Sequence, residues 1–215
     1  MGDSAAPSSS RATSEQAPTA TLPSASAATM QIEITRCERA PSLRKTLGTT
    51  ADFVKKCPNT ARAVTAAILE AGRWIDSGLA NKQKMAETVA DKSYVNTGVD
   101  AINQRILGRY QNGLGKTWDD PHHMKFYNDG AATFPYLSDG MWFLTQHKRW
   151  GLIKEHPDYL AIAKQINQID IYKQAAAASK TPVPKDVMRT SKLIDGVTWD
   201  GKDPKKYAES FKVMV

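Results

Sequence analysis

From Thr46 onward, apolar residues recur at helical spacing, and proline, glycine and capping residues interrupt them at short intervals. Such a pattern constrains the chain to a body of many short helices. The clearest case is Ala61–Asp76, where Val64, Ala67, Ile68, Ala71 and Ile75 share one stripe. Pro58-Asn59-Thr60 reads as a break with an N-cap, and Gly78 follows the end. The same reading predicts a helix over Ala51–Lys56 capped by Thr49 or Thr50. Another covers Asn81–Asp91, with Met85, Thr88 and Val89 inward. Val99–Tyr110 presents Val99, Ile102, Ile106 and Tyr110 on one face, before a turn-rich exit over Gln111–Gly115. Ser138 caps Asp139–Trp150, whose Met141, Trp142, Phe143, Leu144 and Trp150 make it the most apolar helix. Pro157–Asn167, Ile171–Ala178 and Pro204–Phe211 complete the set. Only Met124–Tyr127 and Val197–Trp199 read as extended. The expected fold class is mainly α with little strand, and the irregular stretches between helices suit a segment that packs over something else.

The remainder of the chain is different. Residues 1–30 are almost all Ala, Ser, Thr and Pro, and contain no aromatic residue. They cannot bury enough apolar area to offset their ordering entropy, so a disordered tail is expected. Residues 31–44 open with Ile32 and Ile34 in alternation and then lose pattern. No basic n-region with an apolar h-region is present, and no run of about 18 apolar residues occurs anywhere. As written, the chain would stay in the cytoplasm. Its formal net charge of +7 favours anionic partners without choosing among them. Two cysteines, Cys37 and Cys57, allow at most one disulfide.

Motifs for chemistry are weak. Gly115-Lys116-Thr117 ends like a phosphate-binding loop, but the required first glycine is Tyr110, and a helix precedes it where a strand should. His122, His123 and His147 with Asp119 and Asp120 lack a metal-ligand spacing on any helix. No nucleophile elbow and no obvious carboxylate pair occur, so no enzyme and no cofactor are expected. Trp74 beside Arg73, and Trp150 beside Lys148 and Arg149, fit packing better than base stacking, so no nucleic-acid partner is expected either.

Longer strings are more informative. KTLGTTADFVKKCPNTARAVTAAILEAGRWID, NKQKMAETVADKSYVN, AINQRILGRYQNGLGKTWDDPHHMKFYNDG, FPYLSDGMWFLTQHKRWGL and KTPVPKDVMRTSKLIDGVTWDGKDPKKYAESFK cover the chain from about Lys45 to its end. They resemble the C-terminal part of cyanobacterial-type nitrate-binding proteins, in the nitrate/nitrite/bicarbonate solute-binding family of ABC transporters. The resemblance implies the C-terminal portion of a two-lobed α/β, type II periplasmic-binding-protein-like fold. It divides the chain into a tail (1–30), an unmatched segment (31–44) and a solute-binding body (45–215). It also implies nitrate or nitrite as ligand, and inner-membrane permease and ATPase subunits as partners on the periplasmic side. The family's first lobe, most of the second and its lipobox cysteine have no counterpart in this sequence, so the implied role is a partial solute-binding component. A regulatory module of the transporter, or a non-binding remnant, are the alternatives. Lys45 is the one site residue carried over: it matches the family lysine that meets nitrate, where bicarbonate binders have glutamate. The same reading expects Met141, Trp142, Phe143 and Trp150 to form an exposed apolar patch.

Overall fold

The computed structural model describes residues 46–121, 123–193 and 196–211. Within them the protein is mostly helical, with little strand. The helices are α1 (Ala51–Lys56), α2 (Pro58–Asp76), α3 (Leu79–Ala90), α4 (Val99–Leu107), α5 (Leu137–Arg149), α6 (Tyr159–Ile166), α7 (Ile169–Ala178) and α8 (Pro204–Glu209). Two antiparallel pairs supply the strands: β1 (Arg109–Gln111) with β2 (Thr117–Asp119), and β3 (Ser191–Lys192) with β4 (Thr198–Trp199).

Thr50 caps α1, its hydroxyl accepting from the Phe53 amide at 3.2 Å. α2 begins three residues before the predicted start. Pro58 occupies the first turn, where a missing N–H costs nothing, so the predicted break is the helix's own beginning. The buried stripe also differs from the predicted one. Ala61, Thr65, Leu69 and Gly72 face inward, whereas Val64, Ala67 and Ala71 are exposed and Ile68 and Ile75 half-buried. α2 thus carries apolar residues on two faces. The narrow, small-residue one lies against α7, whose Ala175 and Ala176 permit close approach. Thr65 satisfies its hydroxyl on the Ala61 carbonyl at 2.8 Å, which makes its burial tolerable.

α3 buries Ala86, and Thr88 is exposed rather than inward. α4 stops at Leu107, not Tyr110. Gly108 takes a left-handed conformation (φ +71°), and a side chain there would strike the Asp120 carbonyl and the His123 Cβ. Tyr110 instead enters a hairpin and stacks on Trp118 at 5.5 Å between ring centroids. Met124–Tyr127 forms no strand; Lys125 makes an isolated bridge.

The centre of the molecule is the segment from 132 to 141, every residue of which is buried. Phe134 sits edge-on to Tyr136 (4.8 Å) and Tyr172 (5.3 Å), with Leu69 beside them. Each such aromatic pair adds about 0.5–1.5 kcal/mol beyond area burial. α5 starts two residues early, so Ser138 lies inside the helix rather than capping it. Its hydroxyl accepts from the Arg189 amide at 3.0 Å, and its carbonyl from the Trp199 indole at 2.8 Å. Asp139 and Arg189 form a buried two-point ion pair, at 2.9 Å and 2.6 Å, with the guanidinium over the Tyr136 ring. A second cluster of Leu137, Met141, Tyr159, Ala163 and Trp199 joins α5 to α6 and α8. The expected apolar patch is therefore largely covered. Met141 is buried, Trp142 and Phe143 are half-buried, and the Trp142 indole donates to the Tyr207 hydroxyl at 3.0 Å. Only Trp150 of the four stays exposed, at 62%. Asp158 caps α6, and α7 starts at Ile169, two residues before the predicted start.

Candidate functional site

Lys45 lies outside the described residues. The chain enters the described part immediately after it. Leu47, together with Val54 of α1 and Ile68 of α2, packs against the buried pair Ala61 of α2 and Ile171 of α7.

The other end of α2 holds the most developed polar arrangement. Asp76 is the last residue of the helix, and its Oδ2 accepts from the backbone amides of Phe126 (2.9 Å), Tyr127 (2.7 Å) and Asn128 (3.3 Å). A carboxylate at a helix C-terminus opposes the helix dipole. Three converging N–H groups supply the compensating field. The loop can come this close because Gly72 has no side chain: a Cβ there would meet the Phe126 carbonyl oxygen at 3.0 Å. Around this anchor an open cleft of about 560 Å³ is lined by Arg73, Lys82, Lys125 and Lys180, with Asp76 and Asp129. Arg73 also donates to the Ser179 carbonyl at 2.7 Å, tying α2 to the end of α7. Cations outnumber carboxylates in this cleft, so it favours anions over cations.

The motifs weighed in the sequence have ordinary places. Gly113 and Gly115 take positive φ in the β1–β2 loop, and the Asn112 side chain accepts from the Leu114 (2.9 Å) and Lys116 (3.1 Å) amides. That is a hairpin turn closed on itself, not a phosphate cradle. His122 lies outside the described residues; His123 comes within 3.4 Å of Lys82 Nζ. His147 is in the last turn of α5, where a basic group suits the dipole. Among the described residues no group of three or more His, Cys, Asp or Glu could hold a metal ion. No described helix is long and apolar enough to cross a membrane. Trp74 is 46% exposed, so it is less packed than its place on α2 suggested. The Asp76 anchor was missed from sequence: its partners are 50 to 52 residues away and are backbone amides, which leave no residue-type signature.

The chain is similar to several known proteins. A model of the NMT1-like family matches residues 31–90, a block that contains Lys45, α1, α2 and α3. The nitrate/nitrite binding protein NrtA of Nostoc sp. is 34% identical over 181 residues, which cover 82% of this chain and 39% of the relative. The nitrate import ATP-binding protein NrtC of Synechococcus elongatus is 28% identical, over 79% of this chain and 25% of the relative. Among solved structures, the periplasmic nitrate-binding protein NrtA from Synechocystis superposes with a TM-score of 0.74 at 31% identity, over 80% of this chain and 46% of that one. The chain thus spans about two fifths of the length of the Nostoc binding protein. In both sequence and backbone, over about four fifths of its residues, the chain is similar to nitrate/nitrite binding proteins.

Proposed function

We propose that this chain is part of the solute-binding component of an ABC importer for nitrate or nitrite, that it binds rather than transforms its ligand, and that Lys45 supplies a positive contact to the anion. The observation that carries this is the match to the Nostoc nitrate/nitrite binding protein across 82% of the chain. Lys45 falls within the family block at 31–90. A lysine ammonium in a partly desolvated cleft attracts a univalent anion, and glutamate at the same place repels it. Lysine at this position therefore fits an anion, and nitrate or nitrite is preferred over bicarbonate because the bicarbonate binders that the chain resembles have glutamate there. Nitrate has three oxygens, so other donors must complete its shell. The solved relative is periplasmic; the body from 45 to 215 would act there too, on the periplasmic side of the inner membrane, with the importer's permease and ATPase subunits as partners.

Isothermal titration at constant ionic strength tests this. Nitrate or nitrite should bind the full chain, and Lys45→Glu should abolish the heat. An absence of heat and of any shift in melting temperature with both anions refutes the reading. A second reading is favoured by the match to an ATP-binding protein: the chain as a regulatory module that docks on a transporter subunit without a ligand of its own. Nitrate-independent co-purification with the ATPase subunit, without anion binding, is its signature.

A further inference from the structure

We propose a second anion site, separate from Lys45, that takes a small oxyanion still carrying a proton, either hydrogenphosphate or hydrogencarbonate. It lies where the end of α2, the start of α3 and the start of β1 meet, in a groove of about 300 Å³. Leu79 and Leu107 line its apolar side; Asp76, Lys82, Arg109 and His123 supply its polar groups.

The argument rests on what these groups lack. Lys82 is withdrawn from water, its side chain only 13% exposed. Its Nζ stands 4.0 Å from Asp76 Oδ1, too far for a hydrogen bond, and 3.4 Å from His123 Nε2. An ammonium has three protons to place and can only donate, so the imidazole nitrogen facing it is the acceptor. That long contact leaves most of the donor capacity of Lys82 unused. Asp76 is equally unbalanced. Oδ2 takes three backbone amides, while Oδ1 is buried and has no hydrogen-bond partner among the described residues. A largely buried cation and a buried carboxylate oxygen, each short of partners and 4.0 Å apart, are costly unless something sits between them and completes both.

The missing species must therefore have both polarities. It needs an O–H to give to Asp76 Oδ1, and anionic oxygens to take from Lys82 and from Arg109, which opens β1 on the rim of the same groove. Two cations against one carboxylate leave room for a negative ligand. A protonated oxyanion meets all three demands. Nitrate meets only two, because it has no proton to donate to Oδ1. The groove therefore selects against the ligand proposed for Lys45.

Titration of the full chain with inorganic phosphate, and separately with bicarbonate, at pH 7.5 and fixed ionic strength in chloride, tests this. At least one should bind, and which one does identifies the oxyanion. Lys82→Gln should weaken that binding at least tenfold, and Arg109→Gln several-fold. Arg109 is exposed, so its substitution is not expected to disturb the fold, and circular dichroism checks this. Nitrate should fail to displace the bound oxyanion. Binding of neither oxyanion, binding indifferent to both substitutions, or displacement by nitrate at equal concentration each overturns the proposal. Loss of nitrate binding in Lys45→Glu with phosphate or bicarbonate binding intact would show that the two sites stand or fall separately.

Discussion

The half of the molecule built on α2, α5, α6, α7 and α8 and the half built on α3, α4 and the β1–β2 hairpin use different means to stay folded. The first buries the 132–141 segment whole, packs three aromatic rings edge to face, and fixes α5 to Arg189 and Trp199 through Asp139 and Ser138. The second is an arm. Its helices bury Ala86 and Ile106, while Leu79, Tyr94, Val95, Leu114 and Trp118 remain exposed. Buried aromatic and ionic partners make unfolding of the first half a single event. The arm, joined mainly through α3 and the Asp76 anchor, has few contacts to lose and can open by itself.

The largest test of this difference is in the first half. Arg189→Met should cost about 3–5 kcal/mol in urea melts, because the buried Asp139 carboxylate loses its guanidinium counter-charge. Adding Asp139→Leu should restore most of it; an equally unstable double variant would mean that the pair does more than neutralise itself. Next comes Ile106→Ala in the arm. A buried isoleucine truncated to alanine costs roughly 2–5 kcal/mol. Here the loss should appear as faster amide exchange in α3 and α4, with α2 and α7 protected as before. Uniform acceleration throughout would show that the arm and the core are one cooperative unit. The smallest effect is confined to alkaline pH. Burial pushes the Tyr172 hydroxyl up to about 12 from an ordinary value near 10, so the folded state holds a proton that the unfolded state loses. Its contribution is complete below pH 10 and is lost as pH rises from 10 toward 12, at up to about 1.4 kcal/mol per pH unit. Tyr172→Phe should flatten that decline, while stability near pH 7 changes little beyond the loss of the 2.7 Å hydrogen bond to Thr133.

The sequence made the helices legible and their partners much less so. The start of α1, the existence of every α-helix among the described residues and the β4 strand follow from caps and periodicity, which are local; the short 3-10 helix Asn128–Gly130 does not. Nor does the orientation of α2. Val64, Ile68 and Ile75 are three of its four larger aliphatic residues and fit an inward stripe, but α7 presents alanines and Tyr172, which need a close neighbour, so the row of Ala61, Thr65 and Gly72 around the fourth, Leu69, faces inward. Tyr110 fits a helical face as well as a strand, and only pairing with Trp118, settled by the hairpin turn, decides between them. Ser138 has the composition of a cap, yet its hydroxyl is used by the Arg189 amide, 51 residues away. The ionic pair of Asp139 with Arg189 and the environment of Lys82 share this long-range character. Family resemblance supplied the lineage that periodicity could not, and Lys45 remains a proposal carried by that lineage.

Asp76 has a consequence in time as well as in structure. One oxygen atom holds three consecutive amides, so they share a single lifetime: none can be released for long while the other two stay bound. The end of that helix therefore works as a latch with one moving part: losing one carboxylate oxygen removes three bonds at once, and the wall of the anion-favouring cleft at Tyr127 and Asn128 loses its anchor with it.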